Sequence, residues 1–322
     1  MNVKKRYKFL PPDSACRGSV LFLALWALFF LALLSAAIAA GVRPALAAAF
    51  RLGNAAQARY LAESGVKKIM ADVRARTQAD ALADFLSAGP DFRLREWPDG
   101  RLEYAFLDEE RKININYASC QVLVNLFTAR GLDPLLAVDL ADAVLDWRGA
   151  QGCPRENNRA KVSCRGGPEC FRKESAFEVP EEINFVKGMT PEIFDGIKDY
   201  ITVYGSGALN INTADSPCLR AIGISEALSG EILRYRSGAD ALPATGDDKV
   251  FESTADIVSV LASFSGLPAE EIEQLQRMVS AGVFCVRSSF FSGDLRADFR
   301  GYELRADFVF VRGGALKFWR EE

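Results

Sequence analysis

The stretch CRGSVLFLALWALFFLALLSAAIAAGV, residues 16–42, contains one charged residue, Arg17, and no charge after it. Residues 19–42 are therefore a run of 24 uncharged positions. A helix rises about 1.5 Å per residue, so the run reaches about 36 Å, which is enough to cross the hydrocarbon core of a bilayer. The sequence predicts a transmembrane helix over residues 19–42, and the organisation of the chain follows from it.

Basic residues precede this run and set its expected orientation. Positive charge beside a membrane span favours the cytoplasmic side, so we expect a short cytoplasmic N-terminus and an exported C-terminal part. The residues concerned are Lys4, Lys5, Arg6, Lys8 and Arg17.

The apolar run is open to three interpretations. As a signal peptide it would be removed at Ala37-Ile38-Ala39, which has the A-x-A pattern, and the rest would be a secreted protein such as a hydrolase. As an ordinary anchor it would stay uncut. The third interpretation is a cut between Gly18 and Ser19, because there the small residue precedes the apolar run, and the helix would stay on the mature protein.

The helix is expected to continue beyond the membrane as far as Leu86, because residues 43–86 are rich in alanine and other helix formers. Pro44, Gly53 and Gly65 would bend or loosen this helix without ending it. Five apolar residues are spaced so that they can share one face: Leu46, Phe50, Ala58, Leu61 and Ile69.

The remaining sequence predicts an α+β fold. DFRLREWPDGRLEYAFLDEE, residues 91–110, has the pattern of two strands around a turn, and alternating strands return at 283–291, 300–311 and 314–319. A mostly helical insertion separates the two groups of strands. The predicted boundaries are 1–18 for a leader, 19–42 for the transmembrane helix, 43–111 for the rest of the helix and the first strands, 112–281 for the insertion and 282–322 for the last strands.

The insertion contains an internal repeat, at about 112–150 and 208–240. KININYAS, residues 112–119, returns as ALNINTAD, residues 208–215, so Asn114 matches Asn210. Each copy is followed by a helical stretch with an arginine near its end. We expect the side chains at 116, 119, 213 and 215 to accept hydrogen bonds from the N–H groups that open the next helix.

The second copy, NINTADSPCLRAIGISEALSGEILRYRSG, resembles the helix-hairpin-helix segment of DNA-uptake proteins. In that motif a Gly-hydrophobic-Gly turn presents N–H groups to phosphate, but this turn is Gly223-Ile224-Ser225 and lacks the second glycine. The first copy, TARGLDPLLAVDLADAV, is expected to have no such turn. A membrane-anchored nucleic-acid-binding protein is the alternative function, and the formal net charge of −3 argues against it.

The composition argues against an enzyme. The 322 residues include no histidine, which removes the usual general base and the commonest metal ligand. The sequence also lacks a P-loop, a dinucleotide-binding glycine run and a G-x-S-x-G elbow. We therefore predict a non-enzymatic protein.

Six of the seven cysteines lie after the apolar run, and an even number in an exported domain predicts disulfides. Buried free thiols are the alternative. Three of the six lie in one polar loop, where a covalent clip is expected in preference to a zinc site. The candidates are Cys120, Cys153, Cys164, Cys170, Cys218 and Cys285.

The ordered set of motifs is similar to the general secretion pathway protein K family, the largest minor pseudopilins of type II secretion systems. The matching segments cover nearly the whole chain: RGSVLFLALWALFFLALLSA, ARYLAESGV, INYAS, AVLDWRG, EEINFVKGMTPEIFDGIKDYITVY and LNINTA. The resemblance implies a pseudopilin fold, in which a long helix packs on an antiparallel sheet. It also implies that the inserted domain holds two SAM-like, helix-hairpin-like repeats.

The resemblance also implies a function. The prepilin peptidase would cut between Gly18 and Ser19 and methylate the new N-terminus. The protein would be anchored in the bacterial inner membrane by a single pass, with its C-terminal domain in the periplasm, and would nucleate and cap the tip of the pseudopilus. The implied partners are the other minor pseudopilins (proteins I and J), the major pseudopilin and the inner-membrane assembly platform. The expected contact surface is the apolar face of residues 45–86 together with a sheet edge.

Position 23 departs from the general pseudopilin pattern but agrees with the protein K family, and the loop after Asp146 departs from the related calcium-binding proteins. Most pseudopilins carry a glutamate at the fifth mature position, which here is Leu23, and a tip subunit with no neighbour above it does not need that carboxylate in the membrane. Related proteins also bind calcium after an Asp-Trp pair. This sequence keeps Asp146 and Trp147, but most of the further acids of that loop are missing and cysteines stand there instead. Asp146, Glu156 and Glu169 are the predicted calcium ligands, and a disulfide is the alternative clip.

Overall fold

The computed structural model describes residues 17–75, 93–97, 100–153, 173–242, 245 and 247–321. The chain divides into two units, Met1–Gln57 and Ala58–Glu322. Residues 1–16 of the predicted leader, the end of the predicted long helix and most of the cysteine-containing loop lie outside the described residues.

A single helix, α1, runs from Arg17 to Ala75. It continues through Pro44, as expected, because the neighbouring alanine-rich turns favour the helix on both sides. Residues 76–86 of the predicted helix lie outside the described residues. The part of α1 from Ala58 onward belongs to the second unit.

An antiparallel sheet of five strands forms the first half of the second unit, in the order β1-β2-β7-β8-β9. It joins strands from both ends of the sequence, because β2 pairs with β7 along its whole length. The strands are β1 (Arg93–Trp97), β2 (Gly100–Asp108), β7 (Phe290–Phe299), β8 (Tyr302–Val311) and β9 (Leu316–Glu321).

One face of this sheet packs on α1. The buried helix residues are Ala58, Ala62, Val66, Ile69 and Val73, which recur every three or four positions and so form one stripe. The strand residues opposite them alternate, as a half-buried strand requires: Leu304, Ala306, Phe308 and Phe310 of β8 are buried. Of the five residues predicted to share a helix face, Ala58 and Ile69 are buried and Leu61 is partly buried, whereas Leu46 and Phe50 are exposed.

Gly65 allows the close approach of α1 to the sheet. A Cβ atom at this position would lie 2.2 Å from Leu102 Cδ2, which is far inside van der Waals contact. The backbone of α1 therefore comes within reach of β2 because this residue has no side chain.

The inserted segment has its own hydrophobic core, built around residues such as Leu123, Phe127, Leu140, Leu219 and Ile232. Its helices are α2 (Cys120–Ala129), α3 (Pro134–Trp147), α4 (Pro191–Ile197), α5 (Ser216–Ala221), α6 (Glu226–Arg236), α7 (Ile257–Ser265) and α8 (Ala269–Ser280). Its strands are β3 (Ile113–Asn114), β4 (Ile201–Thr202), β5 (Leu209–Asn210) and β6 (Phe284–Cys285).

The predicted strand over residues 283–291 is wrong as a single element. Phe284–Cys285 forms β6, which pairs in parallel with β5 of the second repeat, and the sheet strand β7 begins only at Phe290. The chain changes partner between them, because Phe284 is buried among the residues of the insertion and Phe291 among those of the sheet.

Candidate assembly surfaces

The N-terminal unit presents an apolar helix surface. Trp26 packs against Phe22, Phe29 and Phe30, with ring centroids 5.4–6.1 Å apart. The helix from Val20 onward is a candidate membrane span with mean hydropathy 2.6 over its most apolar window, and none of that window is buried inside the structure. Such a surface needs lipid or another apolar partner to cover it.

The positions of the predicted cut lie at the start of this helix. Gly18 and Ser19 are in the first turn of α1, which begins at Arg17. Leu23 follows one turn later, with 64% of its surface exposed. The fifth position after the predicted cut therefore presents an apolar side chain in the part of the helix that is a candidate membrane span.

A buried carboxylate cluster joins the sheet to the insertion. Asp108, at the end of β2, accepts hydrogen bonds from Asn210 Nδ2 (3.0 Å) and Thr213 Oγ1 (2.5 Å) of the second repeat. Glu110 accepts from the backbone N–H groups of Ser289 (2.6 Å) and Ser206 (3.3 Å). Burial raises the pKa of both carboxyl groups above their ordinary values.

Glu109 completes this cluster from the same turn of chain. Its carboxylate accepts from Lys112 Nζ (2.6 Å), from Ser292 Oγ of β7 (2.5 Å) and from the Thr202 hydroxyl of β4. The three consecutive acids thus bind groups from the sheet, from both repeats and from the segment that leads back to the sheet. Sequence reasoning missed them, because DEE at a strand end has the pattern of a solvated turn.

The repeated N-x-N motif forms the same side-chain clamp in each copy. Asn116 donates to the carbonyl of Phe177 (3.0 Å) and accepts from the N–H of the same residue (2.8 Å). Asn212 makes the equivalent pair with Phe251, at 2.9 and 2.8 Å. An amide side chain pairs with backbone in this way as a neighbouring strand would, so the motif holds a distant loop against each repeat.

An arginine that follows the N-x-N motif makes equivalent hydrogen bonds in both repeats. Arg148 and Arg236 each bond the carbonyl oxygens of their own repeat, and burial lowers the pKa of both groups, that of Arg236 to about 10. The acceptors are Ile115 and Ala118 for Arg148, and Ile211 and Ala214 for Arg236. These arginines stabilise the repeats from within.

The predicted helix-capping role applies to one of its four positions. Ser119 accepts from the N–H of Val122 in the first turn of α2 (3.4 Å). Asn116 forms the clamp just described, Thr213 donates to Asp108, and Asp215 pairs with Arg111 at 2.5 Å. The other three side chains are therefore used for tertiary contacts.

The expectation that the first copy lacks a helix-hairpin turn is wrong. Gly131 and Gly223 both have positive φ, 90° and 102°, and each is followed by an apolar residue and a residue that caps the next helix. The capping residue is Asp133 in the first copy and Ser225 in the second. The Asp133 carboxylate binds the N–H groups at the start of α3, so it occupies the place where a phosphate would approach and gives no support to nucleic-acid binding.

The cysteines divide into one bridge and two thiols among the described residues. Cys120 on α2 is bonded to Cys153, across 33 residues, so the bridge joins the polar loop to a helix and does not lie within the loop. Cys218 and Cys285, also predicted as disulfide candidates, are free thiols. Each lies near a backbone carbonyl, and burial raises the pKa of both to about 12. Cys164 and Cys170 lie outside the described residues.

The predicted calcium ligands are only partly covered by the structure. Asp146 lies in the last turn of α3, whereas Glu156 and Glu169 lie outside the described residues. Within the described ranges, no three His, Cys, Asp or Glu side chains are close enough together to hold a metal ion. The calcium site stays a prediction.

The arrangement of a long helix, an antiparallel sheet and a helical insertion defines the class: this is an α+β pseudopilin fold, as predicted. The structure is similar to a chain in the crystal structure of the GspK-GspI-GspJ complex from the enterotoxigenic Escherichia coli type 2 secretion system. The TM-score is 0.50 and the identity 15%, and the match covers 83% of this chain and 99% of the other. No protein-family model and no curated protein matches the sequence.

Proposed function

We propose that the chain is a minor pseudopilin of a type II secretion system. One observation carries the proposal: α1 is exposed and apolar in its first part, as a membrane segment is, and packs on an antiparallel sheet from Ala58 onward. The matched crystal structure is that of the GspK-GspI-GspJ complex of a type 2 secretion system, and the sequence motifs resemble those of the protein K family. The fold and the motifs therefore support the same role.

In this role the protein is a non-enzymatic assembly subunit of the inner membrane. The basic residues before the span hold the N-terminus in the cytoplasm, and the second unit is periplasmic. The prepilin peptidase cuts between Gly18 and Ser19 and methylates Ser19. The mature helix then joins the partner pseudopilins that correspond to proteins I and J, and the subunit caps the filament made by the major pseudopilin.

Leu23 supports a position at the tip. A buried carboxylate in a membrane is costly unless a cation pairs with it, and a subunit with no neighbour above gains no such pair. An apolar side chain at this position avoids that cost. The same reasoning predicts that the subunit is placed at an end of the filament and not within its shaft.

Replacement of Gly18 tests the proposal. We expect Gly18→Leu to leave the full-length precursor in the membrane and to stop secretion, because the peptidase needs a small residue before its cut. Gly41→Leu is the matched control: it changes another glycine of the same helix, with no neighbouring atom within 4 Å of the added carbon, and is expected to be processed normally.

Mass spectrometry of the mature N-terminus provides the measurement. A methylated Ser19 in the wild type and in Gly41→Leu, with unprocessed Gly18→Leu, supports the proposal. A mature chain that begins at residue 40 or later would identify a signal peptide, and the filament function would be abandoned.

A further inference from the structure

The C-terminal strand β9 is an edge of the sheet. It pairs with β8 on one side, and within the described ranges no strand lies on its other side. Its outer edge therefore presents a row of backbone N–H and C=O groups to solvent. Such an edge pairs readily with another extended chain, because only a strand can satisfy donors and acceptors in that spacing.

A groove runs beside this edge, between β9 and the part of α1 that belongs to the same unit. Its volume is about 440 Å³. Apolar side chains from both elements line it: Val66 and Met70 of α1, and Leu316 and Trp319 of β9. Leu316 is 46% exposed, so a side chain that enters the groove would cover apolar surface.

The charges around the groove are not balanced. Arg59 is paired with Glu63 (3.6 Å) and Glu321 (3.2 Å). Lys67, at the groove, and Lys317, the second residue of β9, have no ion-pair partner among the described residues. Lys317 lies where the pairing of β9 with β8 is irregular, and it is adjacent in sequence to Leu316, which lines the groove. The groove therefore favours an occupant that carries a carboxylate.

We propose that β9 and this groove bind an extended strand of a neighbouring pseudopilin, which adds to the sheet as a sixth strand. The added strand places an apolar side chain between Trp319 and Met70 and an acidic side chain near Lys317. This inference rests on the proposed function, which supplies such a neighbour, and it names the surface that binds it.

Lys317 gives the edge its selectivity. A charged residue in an edge strand discourages pairing with an arbitrary apolar strand, because the ammonium group would lose water without gaining a partner. A strand with an acid opposite Lys317 avoids that loss. The same residue thus opposes unspecific aggregation and favours one partner.

The test uses the full-length protein in detergent with the two partner minor pseudopilins of its own system. Hydrogen exchange is measured on the protein alone and on the complex. We expect those amides of residues 316–321 that point away from β8 to exchange quickly in the free protein and to become protected at least tenfold in the complex, because strand addition bonds these N–H groups.

Charge reversal provides the matched comparison. We expect Lys317→Glu to weaken the complex at least tenfold, with a larger effect at low salt. Lys187→Glu is the control, since Lys187 is likewise exposed, has no ion-pair partner among the described residues and gives the same change in net charge. It should leave the affinity unchanged.

Three results would overturn the inference. If the complex forms without protection of β9, strand addition is refuted and the proposed function is left intact. The same holds if Lys317→Glu and Lys187→Glu form the complex with equal affinity. Protection that appears with self-association of the protein alone identifies a second copy as the occupant and also refutes it. Absence of any complex refutes both the inference and the proposed function.

Discussion

At the scale of single residues, short polar side chains hold the repeats together. Asn212 is 2% exposed, and its amide donates to the carbonyls of Phe251 and Val286 while its oxygen accepts from the Phe251 N–H. The two donated bonds need the amide NH2 group, because a carboxylate has no proton to donate. The position therefore requires the hydrogen-bond donors of asparagine, and aspartate, which has nearly the same size, does not supply them.

We expect Asn212→Asp to lower the free energy of unfolding by about 3 kcal/mol, because it buries a charge against two carbonyl oxygens. Asn116→Asp is the matched control in the first repeat. Asn116 is half-buried, so water can solvate the new carboxylate, and a loss of about 1 kcal/mol is expected. Denaturant titration of both variants measures the difference, and equal losses would show that burial does not set the cost.

At the scale of elements, α1 is one helix in two environments. Its candidate membrane span is exposed and its later part packs on the sheet, but the helical backbone is continuous through both. The alanine-rich sequence permits this, since alanine has a high helix propensity and a small side chain that fits a close interface. Gly65 marks the closest approach, and Gly53 has open space around it.

Gly65→Ala is expected to destabilise the Ala58–Glu322 unit by about 2 kcal/mol, because the new methyl group would overlap Leu102 in a packed core. Gly53→Ala has nothing within 4 Å of the added carbon and is expected to stabilise the helix by about 0.5–1 kcal/mol. Thermal unfolding of the detergent-solubilised protein, followed by circular dichroism, checks both. A neutral Gly65→Ala would mean that Leu102 has room to move.

At the scale of the whole second unit, the sheet and the insertion meet at the buried acids. The chain leaves the sheet after Asp108 and returns to it at Phe290. Asp108 accepts a hydrogen bond from Asn210 of the insertion, and Glu110 and Glu109 accept from Ser289 and Ser292 where the chain returns. Because burial raises the pKa of Asp108 and Glu110, the folded state holds protons that the unfolded chain releases.

The sign of the resulting pH dependence follows from linkage. Above the ordinary pKa of 4.5 for Glu110 and up to its raised folded-state value, the folded protein binds more protons than the unfolded one, so this group makes stability fall as pH rises. We expect Glu110→Gln to reduce that fall. Denaturant titrations from pH 4.5 to 7 measure it, and Glu303→Gln, on an exposed glutamate, should keep the wild-type slope.

How much of the structure the sequence predicts depends on how far apart in the chain the interacting residues lie. The apolar run, the sheet strands and the insertion between them follow from periodicity, and the structure has an α+β pseudopilin fold as expected. The sequence pattern does not predict the first helix-hairpin turn, because its shared feature with the second is the positive φ of Gly131 and Gly223, which is a property of the backbone. The pattern over residues 283–291 predicts one strand where the structure has two, β6 and the start of β7. The two strands belong to different hydrophobic cores, and the sequence pattern does not distinguish between the cores.

The sequence by itself determined the long helix and the alternating strands, because these patterns reflect contacts within a few residues of one another or on one face of an element. Only the tertiary structure decided that Cys120 is bonded to Cys153, that Cys218 and Cys285 form no disulfide within the described part of the chain, and that Asp108 accepts a hydrogen bond from Asn210 across 102 residues. Such pairs form because folding brings residues that are distant in sequence together and removes water from them. Local sequence patterns do not show which distant residues become neighbours.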